Sequence, residues 1–301
     1  MTGVEASFDG SRDVSAILGT LSRGRADPSF QRTAEGLWVI GLSPQGGFSA
    51  CLEQTAAGVA LTGWGEGAGW VADHLPDWLG ADDDLRGFRP EHDLIDRAWR
   101  RYRITWRVPR TLLTWQIALA AVLEQRVTGV EARSAWRMLL IEHGSPAPGP
   151  APGGMRVPPD PDAVLRIPSW DWRRYGVDRQ RIRTIRELAS AGHVLERAAH
   201  MPASQGRVAL TAVPGVGPWT AAEISARAFG DADAVSVGDY HQARNVTYAL
   251  TGETDGTDED MLRLLAPYAG HRYRAVRMIE LARVAPPRRG PRMRLPGPGQ
   301  Q

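Results

Sequence analysis

Leu210 to Tyr240 reads LTAVPGVGPWTAAEISARAFGDADAVSVGDY, and its centre, Val213-Pro214-Gly215-Val216-Gly217-Pro218-Trp219-Thr220-Ala221, has the form of a turn between two helices. A proline inside a helix loses a bond, so Pro214 is expected to stop the first helix. Gly215 and Gly217 are expected to supply backbone angles and close approach that a side chain would block. Pro218 suits the first turn of the next helix, where a missing N–H costs nothing. The free amides of such a turn point outward at a helix N-terminus, which makes a site for a phosphate. The turn itself carries no lysine or arginine. An anion held there would rest on backbone amides, and contacts of that kind are blind to base sequence.

This turn resembles the helix-hairpin-helix of the DNA glycosylase superfamily, and the resemblance extends beyond it. Members carry a catalytic aspartate shortly after the hairpin, and Val237-Gly238-Asp239-Tyr240 supplies one, 239 − 217 = 22 residues after Gly217. Upstream, Leu123-Glu124-Gln125-Arg126-Val127-Thr128 resembles the segment that places a glutamine and then a wedge residue in the minor groove. Downstream, Pro267-Tyr268 and Arg272-Tyr273-Arg274-Ala275 resemble the closing helix, so the likeness covers residues 96 to 285. It implies that Val213, Gly215, Gly217 and Thr220 of the hairpin hold the DNA backbone, and that Asp239 is catalytic.

Lysine and cysteine separate the branches of that superfamily. All 36 basic residues are arginine. Glycosylases that also cut the strand form a Schiff base through an amine, and in that branch a lysine sits two residues after the second hairpin glycine. Here that position is Trp219, and no lysine stands anywhere in the chain. Iron–sulfur glycosylases need four thiolates, whereas Cys51 is the single cysteine. What remains resembles the monofunctional DNA-3-methyladenine glycosylase II family, whose members carry tryptophan at the Trp219 position. The implied cofactor list is empty, apart from a monovalent cation bridged by hairpin backbone carbonyls.

Each singled-out residue also has an ordinary reading. Asp239 can simply cap the helix that follows, a role compatible with catalysis because helix-terminal amides favour a carboxylate. Such a carboxylate can stabilise an oxocarbenium-like sugar and orient the attacking water. Trp219 is either a core tryptophan or one wall of a pocket for a flipped base, where an aromatic face would attract a cationic alkylated purine. Tyr240 is a second candidate wall, with core packing as the alternative. Arg126 departs from the apolar wedge of the 3-methyladenine relatives, and otherwise lies on a basic helix face; Gln125 rests on the resemblance alone. The runs Arg97–Arg110 and Arg173–Arg186 read as solvated helix faces of which a few touch DNA. Gly63 to Gly69 lacks the Gly-x-Gly-x-x-Gly spacing and reads as a strand turn. The seven histidines show no metal-ligand spacing, so no side-chain metal site is expected.

Charge supports the same division of labour. Residues 1–95 hold 6 arginines and 14 acidic residues (6 − 14 = −8), and residues 96–301 hold 30 against 20 (30 − 20 = +10). The basic part is the part with the hairpin, as phosphate neutralisation requires. No signal peptide and no membrane-spanning apolar run is visible, so the expected protein is a soluble cytoplasmic monomer, nucleoid-associated in a bacterium, with no membrane partner. The fold class expected is mainly α with a small α+β N-terminal domain, in the two-lobed helix-hairpin-helix glycosylase arrangement. Residues 1–27 read as disordered, 28–95 as the small α/β domain with strands at 36–40, 48–52 and 59–61, and 96–285 as the helical domain. Within it, 144–160 reads as a flexible proline/glycine tether and 286–301 as a basic disordered tail with Arg288, Arg289, Arg292 and Arg294. The function expected is excision of damaged, alkylated purines from double-stranded DNA in base excision repair. The alternatives are the same chemistry on deaminated or other lesions, or a non-catalytic helix-hairpin-helix DNA-binding protein.

Overall fold

Successive residues of the strand Leu37–Ser43 face two different apolar layers, because side chains alternate across a strand. The computed structural model, which describes residues 3–287, builds five antiparallel strands in the order β1-β5-β4-β3-β2. They are β1 (Val4–Asp9), β2 (Phe30–Arg32), β3 (Leu37–Ser43), β4 (Gly46–Gln54) and β5 (Gly58–Trp64). Leu37 and Val39 pair with Leu52 and Ala50 and face the main core. There they meet α1 (Val14–Leu18), α2 (Ala68–Asp73) and α3 (Leu75–Trp78).

Residues 1–27 are not a disordered leader across their described part. β1 pairs with β5 from Val4↔Gly63 to Asp9↔Gly58, and Ala6 and Phe8 lean on the core. Asp13 then caps α1, accepting from the Ala16 amide at 2.9 Å. An edge strand draws its order from its neighbour's ladder, so its own sequence carries little signal.

The proline/glycine segment 144–160 is not a tether either. Its strands β6 (Ser145–Pro146) and β7 (Arg156–Val157) form a small hairpin. Met155 and Val157 cover Trp38, Ile40 and Cys51 on the outer face of the sheet. The Arg156 amide donates to Pro28 O at 2.8 Å. Two apolar anchors in a proline-rich run show no periodicity, which is why the segment reads as a linker.

Helices follow: α4 (Asp93–Tyr102), α5 (Thr114–Leu123), α6 (Gly129–His143), α7 (Pro161–Arg166), α8 (Ser169–Arg174), α9 (Arg179–Ser190), α10 (Gly192–Ala199), α11 (Ala203–Leu210), α12 (Pro218–Ala228), α13 (Gln242–Thr251), α14 (Asp258–Leu265) and α15 (Arg272–Leu281). Nine of them overlap the helical periodicity of the sequence at 94–105, 111–125, 130–143, 179–192, 207–213, 219–229, 240–250, 258–266 and 271–283; α10 falls outside it, as do α7 and α8, whose six residues each are too few to repeat an apolar pattern. α5 is the central helix, buried on all sides but at Trp115, and packs against α12, α9, α10 and α6.

One apolar core runs from Val14 to Ile279, across the expected boundary at 95. Arg274 of α15 also crosses it. Its guanidinium is 0% exposed and donates to both oxygens of Asp83, at 2.8 and 2.6 Å, and to Asp84 O. Phe88, Trp99 and Trp106 surround the cation. Among the described residues, no helix is long and apolar enough to cross a membrane. Arg288, Arg289, Arg292 and Arg294 of the expected basic tail lie outside the described residues.

Candidate active site

The first hairpin helix gives way earlier than Pro214. α11 ends at Leu210, and Thr211, Ala212 and Val213 each donate to the carbonyl three residues back. The chain reverses at Gly215, whose φ is +89°. A Cβ there would stand 2.0 Å from Thr184 Oγ1 of α9, so glycine is required on two counts. Gly217 differs from expectation: its φ is −89° with ψ −179°, extended backbone that any residue adopts, and a Cβ would meet nothing within 4 Å. The fold therefore does not demand a glycine at 217. Its missing side chain keeps open space on the solvent side of the turn.

Gly217 is also the N-cap of α12, which has no side-chain cap, and Pro218 opens the helix. Among the described residues the amides of Gly215 and Gly217 have no protein acceptor. Uncapped amides at the start of an eleven-residue helix are suited to an oxyanion. Val213 and Thr220, expected at the DNA backbone, are both 2% exposed. They contribute main chain at most, and their side chains hold the turn together.

Gln125 does part of that holding. Its Nε2 donates to Gly215 O at 3.1 Å and to Thr220 Oγ1 at 2.8 Å. The residue expected to enter the minor groove thus fastens the turn between α5 and α6 to the hairpin. Arg126 sits next to it at the exposed tip, with φ +55° and no carboxylate partner among the described residues. Non-glycine residues rarely adopt that conformation, and Arg126 is exposed there. The turn is backed by Arg181 of α9, which is 5% exposed. Arg181 donates to Leu123 O at 2.9 Å, to Gly176 O at 2.7 Å and to Asp178 Oδ2 at 2.7 Å. The Arg173–Arg186 run is therefore not uniformly a solvated face: Arg181 closes the C-terminal end of α5.

Asp239 lies half-buried beside the first turn of α12. Its Oδ1 accepts from the amides of His241 and Gln242, both at 2.8 Å, and its Oδ2 accepts from Trp219 Nε1 at 3.1 Å. All three partners are N–H donors. A carboxylate offers about four acceptor sites, so about one remains, on Oδ2. The loop is fixed from three sides: Ser236 Oγ donates to Glu223 of α12 at 2.5 Å, Ser236 N to Gln242 Oε1 at 3.1 Å, and Gly238 N to Asp258 of α14 at 2.9 Å. Trp219 is half-buried, and its indole N–H orients Asp239, a role the sequence does not reveal. Tyr240 is 71% exposed. Its ring packs on Arg244 and His241, with no Trp219–Tyr240 ring pair among the described residues, so these two aromatics do not form facing walls.

Among the described residues, no group of three or more His, Cys, Asp or Glu could hold a metal ion. The carbonyls of Val213, Gly215 and Gly217 each already accept one hydrogen bond. Cys51 is buried between the sheet and the β6–β7 hairpin, where burial, with Glu53 and Glu35 adding to it, pushes its thiol up to about 11.

The chain has the two-lobed fold of the helix-hairpin-helix glycosylases. Over 94% of its length it superposes on 99% of a 3-methyladenine DNA glycosylase from Archaeoglobus fulgidus, with a TM-score of 0.71 at 16% identity. Over 92% it superposes on 94% of a Clostridium acetobutylicum 8-oxoguanine glycosylase/lyase solved with double-stranded DNA, with a TM-score of 0.65 at 12% identity. Identities that low speak for the fold and not for the chemistry. In sequence, the chain is 32% identical over 165 residues to the Mycobacterium tuberculosis "Probable bifunctional transcriptional activator/DNA repair enzyme AlkA". That match covers 54% of this chain and 30% of the relative, so the chain spans under a third of that protein's length. No family model matches. The resemblance to the helix-hairpin-helix glycosylases, 3-methyladenine enzymes among them, stands on both comparisons.

Proposed function

We propose that this protein is a monofunctional DNA glycosylase that flips a damaged, alkylated purine out of double-stranded DNA and hydrolyses its N-glycosidic bond. The observation that carries the reading is the fixed carboxylate of Asp239, with an acceptor site left on Oδ2, beside a helix start whose amides are uncapped. The hairpin amides take the backbone phosphate, and Asp239 faces the sugar. As the C1′–N bond breaks, its electron pair leaves with the base. A cationic alkylated base departs neutral, so no general acid is needed. The carboxylate offsets positive charge on the sugar, aligns the attacking water and accepts its proton for release to solvent. The product is an abasic site in an intact strand, because this chain has no lysine for a Schiff base. A monovalent cation at the hairpin would use the second lone pairs of its carbonyls; no step depends on it.

The test is base release from an alkylated duplex, wild type beside Asp239→Asn, followed by alkali to reveal abasic sites. The asparagine keeps an acceptor for the two helix amides but presents an NH2 group, without charge, to Trp219. Release should fall by about 10²–10³-fold or more while lesion DNA still binds. Strand nicking without heat or alkali would contradict the monofunctional reading. Equal binding by both proteins with no base released from any lesion would leave a DNA-binding protein in its place.

A further inference from the structure

Helix α9 presents its inner face to the hairpin and a stripe of arginines to solvent. Thr184 touches Gly215, and Arg181 fixes the turn carrying Gln125 and Arg126. Arg179, Arg183 and Arg186, at spacings of four and three, lie along one side of the same helix. Arg183 precedes Thr184 and so stands about 100° round the helix from it. With Arg173 and Ser169 of α8, these residues line an open cleft of about 510 Å³.

The arginines there are not spent on the protein. Arg173, Arg179 and Arg186 have no carboxylate partner among the described residues, and Arg183 meets Glu187 only at 3.8 Å. The bonds from Arg173 to Ser169 O and from Arg186 to Ile167 O are long, both 3.4 Å. Like charges gathered in one cleft repel, and a polyanion relieves that repulsion. Trp170, next to Ser169 in α8, is 69% exposed.

We infer that the α8–α9 cleft is a second DNA-backbone site, which takes phosphates of the same duplex next to the step held by the hairpin. This inference rests on the reading of the hairpin as a DNA-backbone site. A helix is about 10–12 Å across, and duplex DNA carries a charge about every 1.7 Å of its axis. Roughly six charges therefore pass over the width of α9, enough to meet the hairpin amides on one side and the arginines on the other. Hairpin contacts are made by neutral amides, whereas the cleft contacts are cationic and displace counterions. The cleft is thus the main source of salt sensitivity.

The test is the salt dependence of binding to an undamaged duplex, for the wild type and for Arg173→Gln/Arg179→Gln/Arg183→Gln, with circular dichroism to confirm folding. The log–log slope should become shallower by about 2–3, near 0.9 for each phosphate no longer neutralised, and affinity at low salt should drop at least tenfold. A slope and affinity equal to the wild type's would overturn the cleft and leave the hairpin reading standing. A wild type that binds no duplex at any salt would overturn both, beginning with the hairpin.

Discussion

Trp219 and Asp239, 20 residues apart, are joined by a 3.1 Å hydrogen bond from the indole Nε1 to Oδ2. The hairpin helix and the loop carrying Asp239 are thereby set to each other directly. In the mechanism proposed above, the tryptophan that stands where the resemblance would place a strand-cutting lysine holds the carboxylate that acts without one.

Removing only that donor isolates its role. Trp219→Phe keeps an aromatic ring and deletes the N–H. A hydrogen bond to a charged group contributes about 1.5–3 kcal/mol, so single-turnover base release should slow by about 10- to 100-fold. Affinity for undamaged duplex, measured by fluorescence anisotropy, should stay unchanged. A rate equal to wild type would show that Asp239 needs no help from the indole.

The two hairpin glycines should fail in different ways. Gly215→Ala meets a positive φ and would place its Cβ only 2.0 Å from Thr184 Oγ1, at a cost of about 2–5 kcal/mol, visible as a lowered Tm. Gly217→Ala faces open space and extended backbone, so it should cost less than about 1 kcal/mol yet weaken DNA binding, because its methyl group enters the space left for the phosphate. Normal DNA affinity in Gly217→Ala would argue against amide contact at that turn.

Gln125→Leu deletes both bonds to the hairpin and strands the buried Thr220 hydroxyl. A loss of about 1–3 kcal/mol in stability is expected, together with weaker duplex binding as the turn loosens. Chemical denaturation alongside anisotropy separates the two effects.

Acid should act on the support beneath Asp239. The Thr257 hydroxyl, then Arg263 and the Thr257 amide, hold Asp260 well below its ordinary 3.8, to about 2. A folded value below the unfolded one stabilises above the unfolded value and is lost as pH falls through the folded one. The contribution of this cap to α14 should therefore disappear between pH 4 and pH 2, and α14 carries the Asp258 that fixes Gly238. Asp260→Asn should flatten the stability–pH curve in that window and leave it unaltered at neutral pH apart from a constant offset.

Arg274→Met should destabilise by about 3–5 kcal/mol, because Asp83 is left buried without its partner. Asp83→Leu in the same background should recover part of that loss. A neutral effect of the single change, read from denaturant midpoints, would mean that water reaches Asp83.

What could be read from the sequence was local chemistry. Pro214, Gly215, Pro218 and the following helix form a turn whose residues dictate its shape among themselves, and Asp239 lies one helix and one loop away. The hidden parts depend on distant partners. Gln125 bonds to Gly215, 90 residues on, so its side chain reads as available when it is already engaged. Arg181 lies within an arginine-rich run, and its burial and its bonds to Leu123, Gly176 and Asp178 separate it from the exposed members. Tyr240 follows Asp239 in sequence but turns toward Arg244, a direction that spacing alone does not specify. Strand β1 is ordered by β5, and α7 and α8, six residues each, are too short for periodicity to register.

The hairpin of β6 and β7 has a consequence for protein engineering. It comes from beyond α6 in the chain and roofs Trp38 and Ile40, so the sheet of the first 64 residues is finished by residues 145–157. The two lobes are not interchangeable cassettes. A fragment ending before Ser145, or a chimera that grafts this N-terminal sheet onto another helical lobe, would carry a bare apolar face and tend to self-associate. Any graft meant to remain monomeric must bring the roof with it.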